Sequence, residues 1–242
     1  MLAGQRILGL IPARGGSSAL PRKNVLPLGD KPLIAWTVNA ALASKYLDRI
    51  ALSTDDQEVM EVAKAWGCEV PFRRPVDLAA ADTPTIAVVL HALDQLPGFD
   101  YVVLLQPTSP LRTALDIDGA VEKCISAQAP SCVSVVCVEK SPHWMYYLNG
   151  QQRLRPVLAG ERMASRRQDA EPVYVLNGAV YIARIDVLRE TAQFVTEATV
   201  AYRMPPDRSA DVDTELDLRW CEFLLSDRIP ADSNRKAVQD NV

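Results

Sequence analysis

Short apolar runs alternate with amphipathic segments along the first 138 residues of this 242-residue chain. The apolar runs predict strands at Arg6–Ile11, Arg49–Ser53, Cys68–Phe72, Tyr101–Leu105 and Ser131–Val138. Apolar residues at helical spacing predict intervening helices over Pro32–Ser44, Gln57–Trp66, Pro84–Leu96 and Ile117–Ala127. Such alternation is typical of a mostly parallel sheet between two layers of helices. The sequence therefore predicts a Rossmann-like, three-layer α/β/α fold.

The alternation stops between residues 139 and 175. This interval carries Trp144, Tyr146 and Tyr147, and aromatic residues are scarce in disordered segments. A poorly ordered insertion and an arm that packs against a second subunit both remain open. A strand at Asn177–Ala183 and a helix at Thr214–Ser226 follow. We expect residues 1–138 and 176–228 to form the core, 139–175 the arm, and 229–242 a flexible tail.

Composition and charge exclude several classes of protein. Apolar residues make up 48% and charged residues 23% of the chain, which is ordinary for a soluble enzyme. A formal net charge of −4 argues against a general nucleic-acid binder, which needs a basic face. No apolar run reaches the ~18 residues of a membrane helix, and the N-terminus leaves no room for a signal peptide. Five cysteines without C-x-x-C spacing indicate reduced thiols in a cytoplasmic protein.

The loop after the first predicted strand, Ile11–Asn24, combines paired glycines with three cations. Gly15 and Gly16 can adopt positive φ and turn backbone N–H groups into one concavity. Arg14, Arg22 and Lys23 can donate charge-assisted hydrogen bonds to phosphate.

A phosphate site and an ordinary glycine-rich loop both explain this segment. Its position after the first strand favours the phosphate site, because open α/β sheets bind ligands there. The chain contains neither G-x-x-x-x-G-K-[ST] nor G-x-G-x-x-G, which argues against a P-loop and a dinucleotide fold. A nucleoside triphosphate is the small polyanion that suits the loop.

Asp211-Val212-Asp213 precedes the last predicted helix. In an extended segment, residues two apart face the same side, so the two carboxylates can share a cation such as Mg²⁺. The alternative is a helix cap, in which Asp213 or Thr214 serves as N-cap and Thr214-x-x-Asp217 forms a capping box. Both roles can coexist.

Other polar groups are candidates for substrate contacts. Gln106 leaves the predicted central strand at its carboxyl end and can contact a sugar hydroxyl, or belong to a proline-ordered turn. The Arg166-Arg167 pair can bind a carboxylate or form a solvated face. The only histidines, His91 and His143, are distant in sequence and leave zinc chemistry and a Ser-His-Asp triad without support.

Five segments together resemble the acylneuraminate cytidylyltransferases and their bacterial relatives that act on legionaminic or pseudaminic acid. The segments are Ile11–Asn24, Lys31–Ala41, Leu104–Arg112, Arg167–Tyr181 and Asp211–Leu218, which span nearly the whole chain. The resemblance implies a nucleotidyltransferase fold with a protruding dimerisation arm. It also implies a homodimer that transfers CMP from CTP to the 2-hydroxyl of a nine-carbon keto-acid sugar and releases pyrophosphate.

The resemblance further implies a role for individual residues. Lys23, Arg14, Asp211 and Asp213 are implied to be catalytic, and the two aspartates to hold Mg²⁺. The implied nucleotide-binding residues are Ala13, Arg14, Gly15, Ser17, Lys23, Asn24 and Arg74. The implied sugar-binding residues are Gln106, Arg167, Asn177, Tyr181 and Phe194.

The chain departs from the family pattern at two places. Ser17-Ser18-Ala19 follows the paired glycines where the family usually has Ser-Lys-Gly, and Val175 replaces a cation often found before Asn177. Arg22 or an arm residue are candidates to replace the missing lysine. A different sugar nucleotidyltransferase, of the Kdo cytidylyltransferase type or forming UDP- or GDP-sugars, is one alternative function. A non-catalytic nucleotide-sugar-binding homologue is the other.

Overall fold

Six strands form one central sheet in the structure, a computed structural model that describes residues 2, 4–16, 19–158 and 171–228. In chain order they are β1 (Ile7–Pro12), β4 (Arg49–Ser53), β5 (Tyr101–Leu104), β6 (Ser131–Cys137), β9 (Tyr174–Arg184) and β10 (Val200–Arg203). Their order across the sheet is β10-β6-β9-β5-β1-β4. Pairs β1–β4, β1–β5 and β10–β6 are parallel, and β9 runs antiparallel to both of its neighbours. The expected mostly parallel sheet is confirmed.

Helices cover both faces of the sheet. They are α1 (Leu33–Leu42), α2 (Gln57–Ala65), α3 (Thr85–Gln95), α4 (Ala114–Ser126), α5 (Ile185–Thr191) and α6 (Glu215–Arg228). Successive side chains of β1 point to opposite faces. Ile7 and Ile11 pack with α1, α2 and α4, whereas Leu8 and Leu10 pack with α3 and α5. These two buried clusters give the three layers that the sequence predicts.

Element boundaries differ from the prediction where local chemistry overrides periodicity. The strand expected at Cys68–Phe72 is reduced to one bridge between Ala51 and Glu69, since Pro71 has no N–H for a ladder. Helix α4 starts three residues before Ile117, because the Thr113 amide and hydroxyl both donate to Asp116 Oδ2, at 3.0 and 2.8 Å. The short elements α5 and β10 were not expected.

The segment predicted as an arm contains a small hairpin. Strands β7 (Tyr146–Leu148) and β8 (Leu154–Pro156) pair antiparallel and are exposed along their length. Strand β9 already begins at Tyr174, so the last two residues assigned to the arm belong to the sheet. Residues 159–170 and the tail at 229–242 lie outside the described residues.

Two further expectations concern the chain as a whole. All five cysteines are free thiols, and four of them are buried. Among the described helices, none combines the length and apolarity needed to cross a membrane.

A second small ladder, β2 (Pro27–Leu28) with β3 (Lys31–Pro32), connects the glycine loop to α1.

Candidate active site

A cleft of about 420 Å³ opens where β1 and β5 end, and we call it the main cleft. Ligands of open α/β sheets bind at this edge because loops and helix starts converge there. Many of the residues expected at the site line it, namely Ala13, Arg14, Lys23, Asn24, Arg74, Gln106, Asp211 and Asp213. Residues that were far apart in sequence therefore form one cavity.

The first glycine of the loop, Gly15, is explained by close packing against α2. A left-handed backbone angle is not the reason. Neither Gly15 nor Gly16 has positive φ, so that expectation is wrong. The Gly15 N–H donates to Asp55 Oδ1 at 3.0 Å and does not point into the cleft. A Cβ at Gly15 would lie 2.6 Å from Asp56 Oδ2, so any side chain there collides with the N-cap of α2.

The three cations of the loop have different surroundings. Arg14 and Lys23 line the main cleft. Arg22 instead pairs with Asp56 at 2.7 Å and with Glu58, and does not line the cleft. Its charge is engaged at the start of α2, so Arg22 is poorly placed to replace the missing lysine.

Arg74 is a buried cation on the wall of the main cleft. Its Nε donates to Ser53 Oγ at 3.1 Å, and its Nη2 donates to the Ser53 carbonyl. Burial lowers the pKa of Arg74 to about 10, against the opposing effect of Asp55. These bonds hold the side chain in one orientation at the end of β4.

Lys23 connects the loop to the Asp211–Asp213 segment. Its Nζ donates to the Val212 carbonyl and to Asp213 Oδ1, both at 2.9 Å. The Val212 N–H donates to the Thr108 carbonyl at 2.7 Å, which fixes the segment beside Gln106. Desolvation raises the pKa of Asp211, and the carboxylate of Asp213 adds to the increase. Two carboxylates and one ammonium group thus share one side of the cleft.

The capping role falls to neighbouring residues. Asp217 Oδ2 accepts from the Thr214 N–H at 2.7 Å and from the Thr214 hydroxyl at 2.8 Å. The Asp217 N–H donates back to the Thr214 hydroxyl at 3.3 Å. Because Thr214 and Asp217 cap α6, the carboxylates of Asp211 and Asp213 stay available to the cleft.

A second cleft of about 290 Å³, the side cleft, adjoins the main one. Gln106 and Asp211 line both clefts, so each can contact two ligands at once. Asn177 and Tyr181, which the family resemblance implied to be sugar-binding residues, also line the side cleft. Its remaining lining residues are Val136, Val175, Leu176, Gly178 and Ser209.

An irregularity in β9 shapes the side cleft. Register with β6 shifts between Val133, which opposes Tyr181, and Val135, which opposes Leu176. Gly178 has φ +75°, a conformation that favours glycine, and a Cβ there would lie 3.2 Å from Gln106 Oε1. Gly178 inside the predicted strand was the available signal for this bulge, because an isolated glycine in a strand often marks one.

The Asn177 amide holds the bulge together. Its Oδ1 accepts from Ser134 Oγ at 2.6 Å, and its Nδ2 donates to Ser209 Oγ at 2.9 Å. Ser134 Oγ also accepts from the Val180 N–H at 2.8 Å. Asn177 therefore builds the wall of the side cleft through its side chain and is itself buried.

Some predicted residues are not brought to either cleft. Phe194 packs edge-on against Tyr181, with ring centroids 5.7 Å apart, and lines neither cleft. Ser17 and Arg167 lie outside the described residues. His91, in α3, packs edge-on against Phe72.

Sequence reasoning missed Arg112, a buried cation that binds the backbone of Gln106, which lines both clefts. It donates from Nη1 to the carbonyls of Ala179 and Gln106, and from Nη2 to the Thr37 hydroxyl. Burial lowers the pKa of its guanidinium, which still stays charged near neutral pH. An arginine after Pro110-Leu111 was the available signal, but sequence alone does not tell a buried arginine from a surface one.

Asp211 and Asp213 fit a magnesium site that is completed by a substrate. Within the described ranges, no three acidic, histidine or cysteine side chains form a metal-binding group. Mg²⁺ is commonly held by one or two carboxylates, with substrate phosphates and water as the other ligands. A dedicated all-protein cage is not needed for that arrangement.

Comparison with known proteins identifies the family. The family model described as "Cytidylyltransferase" matches residues 8–155. The chain is 37% identical to the CMP-N,N'-diacetyllegionaminic acid synthase of Legionella pneumophila, over 91% of this chain and 96% of that protein. It is 32% identical to the pseudaminic acid cytidylyltransferase of Campylobacter jejuni, over 90% and 95%. Identity to the N-acylneuraminate cytidylyltransferase of Streptococcus agalactiae is 35% over 86% of this chain, which spans half of that protein.

Solved structures support the same fold. A CMP:2-keto-3-deoxy-manno-octonic acid synthetase in complex with CTP matches with a TM-score of 0.70 and 18% identity, over 92% of this chain and 99% of that one. A 4-diphosphocytidyl-2C-methyl-D-erythritol synthase of Anaerococcus prevotii matches with a TM-score of 0.64, 11% identity and the same two coverages. Together with the sequence matches, the nucleotidyltransferase sheet and its cleft lead to one conclusion. This chain belongs to the cytidylyltransferase family.

Proposed function

We propose that this chain transfers CMP from CTP to the anomeric 2-hydroxyl of a nine-carbon keto-acid sugar and releases pyrophosphate. The acceptor class is N-acetylneuraminic acid or its legionaminic and pseudaminic relatives. The observation that carries the proposal is the pair of adjoining clefts that share Gln106 and Asp211. A nucleotide in the main cleft and a sugar in the side cleft would meet at these two residues.

The main cleft suits a nucleoside triphosphate. Arg14, Lys23 and Arg74 bring positive charge to a chain whose formal net charge is −4. A locally basic cleft attracts an anion even when the whole protein is acidic. Arg14 is also tied to the wall segment, because its Nη1 donates to the Ala80 carbonyl at 3.1 Å.

The side cleft suits an acylated sugar. Val136, Val175 and Leu176 give it an apolar wall, whereas Gln106 and Ser209 supply hydrogen-bonding groups. The apolar wall supports an acceptor that carries N-acyl or deoxy substituents. Arg167 stays a proposed partner for the acceptor carboxylate.

The reaction needs charge neutralised at the α-phosphate while the sugar hydroxyl attacks. Asp211 and Asp213 would hold the Mg²⁺ that supplies this neutralisation and lowers the pKa of the hydroxyl. Lys23, fixed by Val212 and Asp213, would stabilise negative charge that develops on the phosphate oxygens. Gln106 orients the acceptor between the two clefts. No histidine is required.

The hairpin supports the proposal of a homodimer formed through residues 139–175. Tyr147, Leu148 and Leu154 are 52%, 61% and 66% exposed on β7 and β8. Clustered apolar side chains of this exposure are typical of a surface that another protein covers. A cytoplasmic location fits the free thiols and is proposed with it.

Pyrophosphate release with a panel of substrates tests the function. The panel pairs CTP, UTP and GTP with N-acetylneuraminic, legionaminic and pseudaminic acids, Kdo and a hexose 1-phosphate. We expect turnover only with CTP and a nine-carbon acid. Preference for Kdo, or for UTP or GTP with the hexose phosphate, would assign a different nucleotidyltransferase. CTP binding without turnover on any acceptor would indicate a non-catalytic homologue.

A further inference from the structure

Arg112 is the most deeply buried cation in the described part of the chain, with 3% of its surface exposed. Its Nη1 lies 2.6 Å from the Ala179 carbonyl and 3.2 Å from the Gln106 carbonyl. Its Nη2 lies 2.6 Å from Thr37 Oγ1. The Nε has no hydrogen-bond partner among the described residues. Three oxygens from three different elements therefore converge on one guanidinium.

The charge of Arg112 is not neutralised by a bonded carboxylate in the described ranges. Its nearest acidic neighbour in sequence, Asp116, is instead paired with Arg208, with Nε to Oδ2 at 2.9 Å. Burying a cation without a bonded counter-ion is costly, by several kcal/mol in typical proteins. The three hydrogen bonds offset part of this cost, because they satisfy two backbone carbonyls and the Thr37 hydroxyl.

The two carbonyls bound by Nη1 belong to segments that line the side cleft: Gln106 lines it directly, and Ala179 directly follows Gly178, which lines it. Gln106 follows β5, and Ala179 lies in the β9 bulge directly after Gly178. The two segments approach closely, because a Cβ on Gly178 would lie only 3.2 Å from Gln106 Oε1. Because Arg112 Nη1 binds the backbone carbonyls of Gln106 and Ala179, it fixes the distance between these two segments.

We propose that Arg112 is a positioning residue for the acceptor: it sets the spacing between Gln106 and the Asn177–Gly178 bulge. This inference rests on the proposed function, in which the side cleft holds the acid sugar. It predicts that loss of the guanidinium fork affects the acceptor and the transfer step much more than nucleotide binding, because Arg14, Lys23 and Arg74 line the main cleft independently of Gln106. A misplacement of about 1 Å at a reacting group costs about 10²-fold in rate.

Steady-state kinetics of Arg112→Lys, which keeps a charge and loses the fork, test this prediction. We expect the KM for the acid sugar to rise at least about 10-fold and kcat to fall by about 10²-fold. The Kd for CTP, measured by calorimetry, should stay within about twofold of wild type. Arg112→Met, which keeps only the stem, should show the same split or a larger one.

Thr37→Val provides a second variant that keeps the arginine. Thr37 is fully buried in α1, and valine has nearly the same shape without the hydroxyl that binds Nη2. We expect the same split with a smaller size, and this variant carries the test if Arg112→Lys does not fold. Ser44→Ala is the matched control, because it removes a 2.6 Å bond to Asp118 at the end of α1 and should leave both substrates unaffected.

Two results would overturn the inference. One is an equal change in the acceptor KM and the CTP Kd, and the other is wild-type kinetics in both Arg112→Lys and Thr37→Val. Failure of the proposed function would give a different result, because the wild-type protein would then turn over no nine-carbon acid. If another acceptor is used, the same split is measured with that acceptor.

Discussion

At the scale of single residues, the Asp211–Asp213 pair illustrates what sequence can and cannot decide. Spacing and position allow both a metal site and a helix cap. In the structure, the Thr214-x-x-Asp217 box caps α6 and Lys23 binds Asp213, so the cap forms without the carboxylates of the pair. The sequence pattern names both the acidic pair and the capping box. Side-chain geometry was needed to show which residues cap the helix.

Replacing Asp211 tests its catalytic role. We expect Asp211→Ala to lose about 10²–10³-fold in Mg²⁺-dependent kcat, the typical cost of one preorganised charge contact. Circular dichroism should show an unchanged fold. Asp217→Ala is the control, since it removes the cap, should lower the free energy of unfolding by about 1 kcal/mol and should keep its turnover. The reverse pattern, in which Asp211→Ala melts and stays active per folded molecule, would make Asp211 structural.

The raised pKa of Asp211 also has a consequence for stability. Desolvation, together with the charge of Asp213, makes the folded protein bind this proton more tightly than the unfolded chain does. Ionisation of Asp211 therefore lowers the free energy of unfolding as pH rises above the ordinary carboxyl pKa of about 4. In EDTA at pH 7, we expect Asp211→Asn to have a higher Tm than wild type, a gain that disappears below about pH 4. A Tm at or below the wild-type value at pH 7 would contradict this account.

At the scale of elements, buried apolar strands and strongly periodic helices were predictable, and partly exposed short elements were not. Strands β1, β5 and β6 are largely buried apolar runs, which mark their positions in the sequence. Strand β10 is as short as β5 but alternates half-buried and exposed positions, so no continuous apolar run marks it. The β9 bulge and the contact between Gly15 and α2 arise from tertiary packing. The walls of the side cleft were therefore less predictable than the sheet beneath them.

The Gly15–α2 contact gives a prediction with a built-in control. A Cβ at Gly15 would meet Asp56 at 2.6 Å, whereas one at Gly16 meets nothing within 4 Å. We expect Gly15→Ala to lower the free energy of unfolding by about 1–3 kcal/mol, because Asp56 must move as N-cap of α2. Gly16→Ala should change it by less than about 0.5 kcal/mol. Urea denaturation measures both, and equal losses would show that the close approach is unimportant.

At the scale of the whole molecule, one sheet edge brings four of the five separated sequence motifs to two adjoining clefts. Parallel strands end at the same edge, so the loop after β1 and the turn after β5 had to meet there. The arm is different, because Tyr147, Leu148 and Leu154 of its hairpin are each more than half exposed. Its aromatic composition left a poorly ordered insertion and a surface for association both open, and association through the exposed β7–β8 hairpin stays a proposal.

Association through the hairpin is testable by light scattering. We expect wild-type protein to be a dimer and Leu148→Asp with Leu154→Asp to be a monomer, because both side chains are more than half exposed on the hairpin. The double variant should keep the circular dichroism spectrum of wild type. A monomeric wild-type protein, or a dimer that tolerates both charges, would exclude the hairpin as the interface.

The central claim is that CMP passes between the two clefts, and ³¹P NMR of the reaction follows that transfer directly. With CTP, Mg²⁺ and a nine-carbon keto-acid sugar, the account predicts a new phosphodiester resonance that grows in equal amount with pyrophosphate. Omission of the sugar should leave CTP intact. CTP that stays unchanged with every nine-carbon acid, or hydrolysis to CMP and pyrophosphate without a phosphodiester product, would contradict the account.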